Sequence, residues 1–427
     1  MKYVLTQSTN RKLPETTPRT LKLPLNLNKI VTLVGIRRSG KTWLLYETMR
    51  RLESGGVARQ QMIHLNFEDD RLFPIRLEEL DMILRAHEEL YPDFSDKTRH
   101  LFFDEIQNVS GWETYVRRLY DNEDVRIFVT GSSSHLLSRE LATGLRGRSI
   151  SFEVFPFSFA EFLTFRGIRH VPYSRASESR LVAALEDYLA TGGLPELVPA
   201  EPELRPRILK EYVDLVFYRD LVDRYKVSNP LVLRLLLKHC LAQPATLLSV
   251  HKLYHDFRSQ GFALSKDSLY QYLGYLEESY VLFTLPVAER SLRKRAMQPK
   301  KLHAMDWALG YPFVAEKNID VGRKLESAVF LHWRRRREDL AWMSGEQREI
   351  DLVLNDDSPE TLVNVAWSVE SPATWAREIA ALEWAGKTHP DAERVLVAHE
   401  LPLGRAAASY PPPPGVRLVE AWRYLLE

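Results

Sequence analysis

The chain has 427 residues, 45% of them hydrophobic and 27% charged, with a formal net charge of +1. These are ordinary globular values; they exclude a largely disordered or fibrous chain and suit about two to four domains. One cysteine, Cys240, excludes an internal disulfide framework or a cysteine-rich zinc site and fits a reducing compartment.

No apolar run approaches the roughly 20 residues that a bilayer span needs. Met1 to Gln7 lacks the apolar core of a signal peptide. The expectation is a soluble cytoplasmic protein with no membrane partner. The near-zero net charge hides an asymmetry. Arg290 to Arg337 holds 13 Lys/Arg against 4 Asp/Glu, a local footprint for an anionic partner.

In chain order, residues 1–28 are polar, with Pro14, Pro18 and Pro24, and predict an extended, loosely attached arm. Lys29 to Val34 predicts a buried strand, and Trp43 to Arg51 a helix. Further strands are expected at Gln61–Phe67, His100–Phe103, Val125–Val129 and Ser149–Val154, with helices between most of them. That alternation means a parallel sheet with crossovers, which places ligands at the carboxyl ends of the strands. Phe157 to Tyr225 reads as helical with a break at Thr191–Pro195. Pro230–Ala242, Leu247–Gln260 and Lys266–Glu278 form a helical trio, followed by two apolar segments around a basic loop. Gly322–Arg337 predicts a helix, Leu340–Met343, Glu349–Leu354 and Leu362–Trp367 strands, Ala376–Gly386 a helix, Arg394–Ala398 a strand and Leu418–Leu426 a last helix.

Gly35-Ile36-Arg37-Arg38-Ser39-Gly40-Lys41-Thr42 follows the first strand and opens the first long helix. It is a G-x-x-x-x-G-K-[ST] loop in its required context. The glycines let main-chain N–H groups wrap an anion, and the helix N-terminus adds positive potential. Lys41 is expected to neutralise the β- and γ-phosphates of ATP and Thr42 to hold Mg²⁺. Gly35, Arg38, Ser39, Gly40 and Trp43 complete the expected cradle. Asp104, at a strand end, is the second expected Mg²⁺ residue. Glu105 beside it is the expected base for the attacking water. Thr130, Ser132 and Ser133 are candidate γ-phosphate sensors. Arg146 or Arg148 is a candidate arginine finger for a neighbouring subunit, which implies a homo-oligomer.

These residues, with Leu65-Asn66-Phe67-Glu68-Asp69, Phe103-Asp104-Glu105-Ile106-Gln107, Gly147-Arg148, Phe159-Ala160-Glu161-Phe162, Gly192-Gly193-Leu194-Pro195, Arg219-Asp220-Leu221 and Arg348-Glu349-Ile350-Asp351, carry a resemblance. The chain resembles the prokaryotic AAA-like ATPases of the AAA_14 type with a C-terminal DUF4143 region. The resemblance implies an α/β fold: a P-loop core with its arm (1–156), a helical lid (157–228), a winged helix (229–310) and a nuclease-like α/β tail (311–427). It also favours Arg148 as the finger.

The trio before two strands is itself the pattern of a winged helix. Leu269, Leu273 and Leu276 give its third helix a core face, and Lys266 and Gln271 are expected to face DNA. Arg290, Arg293, Lys294 and Arg295 are expected in a wing loop on phosphates. The tail resembles the PD-(D/E)xK core, with Glu326 and Asp351 in two metal-ligand positions. Its third strand, however, carries Asn364 and Ala366 where the acid and lysine belong, which predicts a tail that does not cut DNA. His251 and His255 are four apart but lack a third zinc ligand nearby. The leading expectation is an ATPase that acts on duplex or branched DNA in remodelling or genome maintenance. The alternatives are an ATP-gated switch with slow turnover and an ATP-dependent metal nuclease.

Overall fold

The computed structural model describes residues 1–72, 74–131, 144, 145, 147–289, 291–314, 319–401 and 411–427, with backbone alone at 292 and 296. Two compact units divide it, Met1–Pro156 and Phe157–Glu427.

The first unit is built on five parallel strands in the order β2-β3-β4-β1-β5: β1 (Ile30–Val34), β2 (Met62–Asn66), β3 (Arg99–Asp104), β4 (Val125–Thr130) and β5 (Ser149–Glu153). Strands β1 and β3 are buried along their whole length, as β-branched and aromatic runs covered on both faces should be. Asn66 pairs with Asp104, and Leu33 with Thr130, so the polar strand ends lie level beside the loop that follows β1. Helix α2 (Lys41–Ser54) packs Leu44, Leu45, Met49 and Leu52 on the sheet, and α3 (Met82–Leu90) and α4 (Trp112–Asn122) lie between later strands.

The N-terminal residues differ from the extended arm expected. Lys2–Asn10 is a helix, α1, that packs on β2 and buries Val4 and Leu5. Proline begins only at Pro14, so nothing interrupts this first turn-forming stretch. Leu13 and Leu23 then enter the core beside α2. Each fully buried aliphatic contributes about 1.5–3 kcal/mol, which fastens the arm.

The second unit opens with helices α5 (Phe159–Phe165), α6 (Arg175–Thr191) and α7 (Arg205–Leu215), the last continuing as a π-helical stretch over Val216–Asp223. Helices α8 (Pro230–Ala242), α9 (Val250–Ser259) and α10 (Lys266–Glu278) follow, with strands β6 (Thr246–Leu248), β7 (Leu282–Leu285) and β8 (Lys300–Ala304) in an antiparallel sheet ordered β6-β8-β7. The basic segment between β7 and β8 is not the loop expected. Leu292–Met297 is a short helix, α11, whose first turn is capped by the Ser291 hydroxyl.

Helix α12 (Val321–Arg334) leads into strands β9 (Leu340–Gly345), β10 (Arg348–Leu354) and β11 (Thr361–Ser368), then helix α13 (Pro372–Thr388) and strands β12 (Glu393–Glu400) and β13 (Val416–Glu420). Their sheet runs β13-β12-β11-β10-β9, antiparallel from β9 to β11 and parallel from β11 to β13. The last helix expected over Leu418–Leu426 starts later and is shorter: Leu418–Glu420 belongs to β13, and α14 is only Ala421–Tyr424. A short apolar run suits either state, and the open edge of β12 decides for strand. Among the described residues, no helix is long and apolar enough to cross a membrane.

Candidate functional site

The loop after β1 is shaped by close approach. Gly35 has φ +138°, and a Cβ there would fall 2.5 Å from the Val154 carbonyl oxygen. Only glycine lets the loop pass the end of β5 this closely. Arg38 (φ 59°) and Gly40 (φ 100°) then turn the chain into α2.

Lys41 is 5% exposed, and its Nζ donates to the carbonyl oxygens of Gly35 and Ile36, each at 3.0 Å. The ammonium therefore lies inside the loop. The Ser39 hydroxyl is buried with no hydrogen-bond partner among the described residues. An enclosed ammonium and an orphaned hydroxyl at the N-terminus of a helix together fit a chain of phosphates. Trp43, on the first turn of α2, is 50% exposed and meets Tyr46 edge-on.

The acidic half stands opposite. Asp104 is 1% exposed, and its Oδ2 accepts from the Thr42 hydroxyl at 2.7 Å. Its Oδ1 accepts from the Thr130 hydroxyl. Burial pushes the Asp104 carboxyl up to about 6, Glu105 adds to this, and the two hydroxyls and Lys41 pull the other way. A carboxylate held within reach of the Thr42 hydroxyl beside a phosphate cradle suits Mg²⁺, so the donor set fits that ion.

Glu105 adopts φ +54°, a left-handed conformation unusual for a side chain with a Cβ. Its N–H donates to the Thr130 hydroxyl at 3.1 Å, and its carboxylate accepts from the Gln107 amide. Thr130 is thus engaged with the acidic pair. Its hydroxyl donates to Asp104 and accepts from Glu105. Ser132 and Ser133 lie outside the described residues, as does Arg146.

Arg148 sits at the opposite end of the sheet. Its carbonyl accepts from the Ile30 N–H at the start of β1, five strand residues from the loop, or about 16 Å. Its Nε donates to Asp121 at 2.7 Å. It cannot serve its own chain's phosphate loop from there.

One supporting residue gave no signal in the sequence. Arg19, in the polar arm, is buried, donates through Nη1 to the Ser39 carbonyl at 3.0 Å and through Nη2 to the Phe155 carbonyl. Its own N–H donates to the Glu47 carboxylate at 3.1 Å. The phosphate loop is therefore braced from outside by the arm.

In the second unit, Lys266, Tyr270 and Gln271 lie on the exposed side of α10, with Leu269, Leu273 and Leu276 buried. Gln271 donates to the Tyr275 hydroxyl at 2.6 Å, and the Lys266 ammonium lies 5.7 Å from the Tyr254 ring centre. Arg290 is outside the described residues. Arg293 and Lys294 on α11 are exposed, but Arg295 is paired with Asp356 at 2.6 Å. The basic block does not form one surface either: Lys301 and Lys324 are buried, and Arg337 pairs with Asp339 and Glu360.

Lys301 is the unanticipated residue of the tail. It comes from β8, 2% exposed, and its Nζ lies 2.6 Å from Glu326, 2.6 Å from Glu349 and 2.9 Å from Asp351. Burial opposes its charge, but Asp351, Glu326 and Glu349 outweigh that and hold it protonated. Asn364 donates to Glu378 of α13 at 2.8 Å. An ammonium fills the space between the carboxylates that a divalent ion would need, so this arrangement does not fit one. No group of three or more His, Cys, Asp or Glu among the described residues is arranged to hold a metal, and the rings of His251 and His255 stand 4.6 Å apart without a third ligand.

Residues 27–163 match the family model described as an AAA domain (AAA_14). Residues 182–316 match one described only as a domain of unknown function, DUF8612, rather than the DUF4143 region expected. An uncharacterized protein of Methanocaldococcus jannaschii is 34% identical over 375 residues, 86% of this chain and 81% of that one. An uncharacterized protein of Haemophilus influenzae is 27% identical over 341 residues, 80% of this chain and 83% of that one. Among solved structures, the Walker-type ATPase of Pyrococcus abyssi is similar at 17% identity and a TM-score of 0.45, covering 67% of this chain and 91% of that one. The Orc1 protein of Aeropyrum pernix, solved in complex with DNA, is similar at 14% identity and a TM-score of 0.32, covering 73% of this chain and 89% of that one.

Proposed function

Because the chain belongs to the AAA-like P-loop ATPases, we propose that it binds ATP with Mg²⁺ at the N-terminus of α2, hydrolyses it, and uses the turnover to act on duplex or branched DNA. One observation carries the ATPase reading: Thr42 and Asp104 are joined at 2.7 Å beside a loop that encloses Lys41, with Glu105 next in the chain. Thr42 and Asp104 would hold Mg²⁺, which would offset phosphate charge. Lys41 draws the β- and γ-phosphate oxygens into the cradle, and Glu105 takes the proton of the attacking water. Arg148, remote from its own loop, would complete the site of a neighbouring subunit.

The DNA reading is supported by α10 packed on α8 and α9 before an antiparallel sheet, the arrangement of a winged helix. Lys266 and Gln271 would face the groove, and Arg293 and Lys294 the phosphates. Arg295 drops from that set because Asp356 holds it. The tail is inferred to bind rather than cut, because Lys301 fills its carboxylate cluster.

A second reading, an ATP-gated switch with slow turnover, is favoured by one contact. The Glu105 carboxylate accepts from the Gln107 amide, which lowers its strength as a base. One experiment separates the two: ATP hydrolysis with and without single-stranded, duplex and four-way-junction DNA, across a salt titration. Strong stimulation that fades with salt supports the DNA-coupled motor; a slow, DNA-indifferent rate supports the switch. Glu105→Gln is expected to keep ATP binding and lose turnover, and Lys41→Ala to lose binding. Normal hydrolysis by Glu105→Gln would overturn the assignment.

A further inference from the structure

A cavity of about 1220 Å³ opens in the first unit between α1, the start of the arm and the end of β2. It is built rather than incidental. The Ser8 hydroxyl donates to the His64 carbonyl at 2.7 Å, and Arg59 Nη2 donates to the Ser8 carbonyl at 3.0 Å, so α1 is pinned as its roof.

Three polar atoms in its wall are unmet. Arg59 Nε and Nη1 and His64 Nε2 are buried and have no hydrogen-bond partner among the described residues. A buried donor or acceptor left unpaired costs about 1–3 kcal/mol, and more when it is charged. Among the described residues, no carboxylate lies within ion-pair distance of Arg59. Of the three acids that line it, Asp69 pairs with Arg71, Glu68 lies 3.5 Å from Arg37, and Asp70 is exposed. Arg11 and Lys12, both exposed, add positive charge at the lip. The field is felt inside: burial, then the charges of Arg59 and Arg11, push His64 down to about 4, so it stays neutral. The Tyr46 ring, 5.1 Å from that of His64, supplies a flat apolar wall.

We propose that this cavity is an effector site for a small molecule bearing an oxyanion, a phosphate ester or a carboxylate, held by the charge of Arg59 beside His64. A guanidinium with unpaired N–H donors attracts either group, and the volume suits a ligand of nucleotide size. The site also has a route to the phosphate loop. Glu68 lines the cavity and its carboxylate faces Arg37 of that loop. Occupancy is therefore expected to change ATP turnover, a consequence that rests on the ATPase reading, whereas binding itself does not.

The test uses the full chain carrying Lys41→Ala, which silences the phosphate loop. Inorganic pyrophosphate, inorganic phosphate and citrate are titrated by calorimetry, with the His64 ring nitrogens followed by NMR. Saturable one-to-one binding of the phosphates or of citrate, with a shift at His64 Nε2, is expected, and the arm that binds names the ligand source. Adding Arg59→Gln should weaken it at least tenfold. If that variant unfolds, Tyr46→Leu, which leaves Arg59 and His64 in place, should weaken binding of a ring-bearing phosphate such as AMP and leave pyrophosphate unchanged. No saturation, or affinity indifferent to Arg59→Gln or, where that variant unfolds, AMP affinity indifferent to Tyr46→Leu, means an adventitious ion only and overturns the proposal. In the chain with Lys41 intact, the binding ion should shift ATP turnover at least twofold, and Arg59→Gln should abolish that response. Binding without it would retain the site and remove its link to the loop.

Discussion

Thr130→Val removes one hydroxyl and keeps the shape of the side chain. Two groups lose a partner at once: Asp104 Oδ1, which accepts from that hydroxyl, and the Glu105 N–H, which donates to it at 3.1 Å. Thr130 has no exposed surface, so water does not replace it readily. Leaving a buried group unsatisfied costs about 1–3 kcal/mol, and Glu105 is held in a left-handed conformation that itself costs on the order of 1–3 kcal/mol. The backbone at Glu105 is therefore expected to relax and carry its carboxylate away from the position of the water it is proposed to activate. Loss of such a supporting contact typically lowers activity about 10- to 100-fold. The expected outcome is a fall of that size in kcat with ATP affinity nearly unchanged, and recovery in Thr130→Ser. Steady-state hydrolysis paired with fluorescent-nucleotide binding checks both. If Thr130→Val lost affinity and kept kcat, the hydroxyl would be contacting nucleotide and the positioning role would be wrong.

Gly35→Ala should lower ATP affinity at least tenfold by equilibrium binding, because its Cβ would meet the Val154 carbonyl at 2.5 Å and its backbone favours glycine. Lys301→Met should cost about 3 kcal/mol in urea denaturation of the second unit, by stranding three carboxylates around one side chain; adding Asp351→Asn should recover part of it, and full stability in the single variant would refute the account. Stability should also fall in acid. His100 is 6% exposed, and burial first, then Arg126, pushes it down to about 4, so between pH 6.5 and 4 the unfolded chain binds a proton that the fold refuses. Stability from this group is complete above about pH 6.5 and lost as the pH falls toward 4, by about 3 kcal/mol. Calorimetric melting of His100→Phe should show a shallower decline over that window.

The phosphate loop and the acidic pair could be read in the sequence because both are local: their residues are neighbours in the chain and their chemistry depends on that adjacency. The five strands of the first sheet were legible for the same reason, as short apolar runs ending in polar residues. What stayed hidden depends on contacts between distant segments. Lys301 reaches Glu326, Glu349 and Asp351 from 25 to 50 positions away, and no spacing rule links β8 to the later helix and strand. On β11 the position expected for a lysine holds Ala366, and the lysine among these carboxylates comes from β8 instead. Thr130 read as a phosphate sensor because a hydroxyl at a strand end has several possible partners, and only the register of β4 against β3 assigns it to Asp104. The charge count from Arg290 to Arg337 overstated a surface, since it could not see which cations the fold would bury or pair.

The brace from Arg19 has a practical edge. The stretch that matches the AAA domain begins at residue 27, so a protein trimmed to that boundary would keep every motif residue and discard the guanidinium that buttresses Ser39 from behind. Such a shortened version would look intact on paper and grip its triphosphate poorly. Inactivity in a trimmed sample would then speak to a missing strut, and the catalytic residues would be blamed for a fault that lies upstream of them.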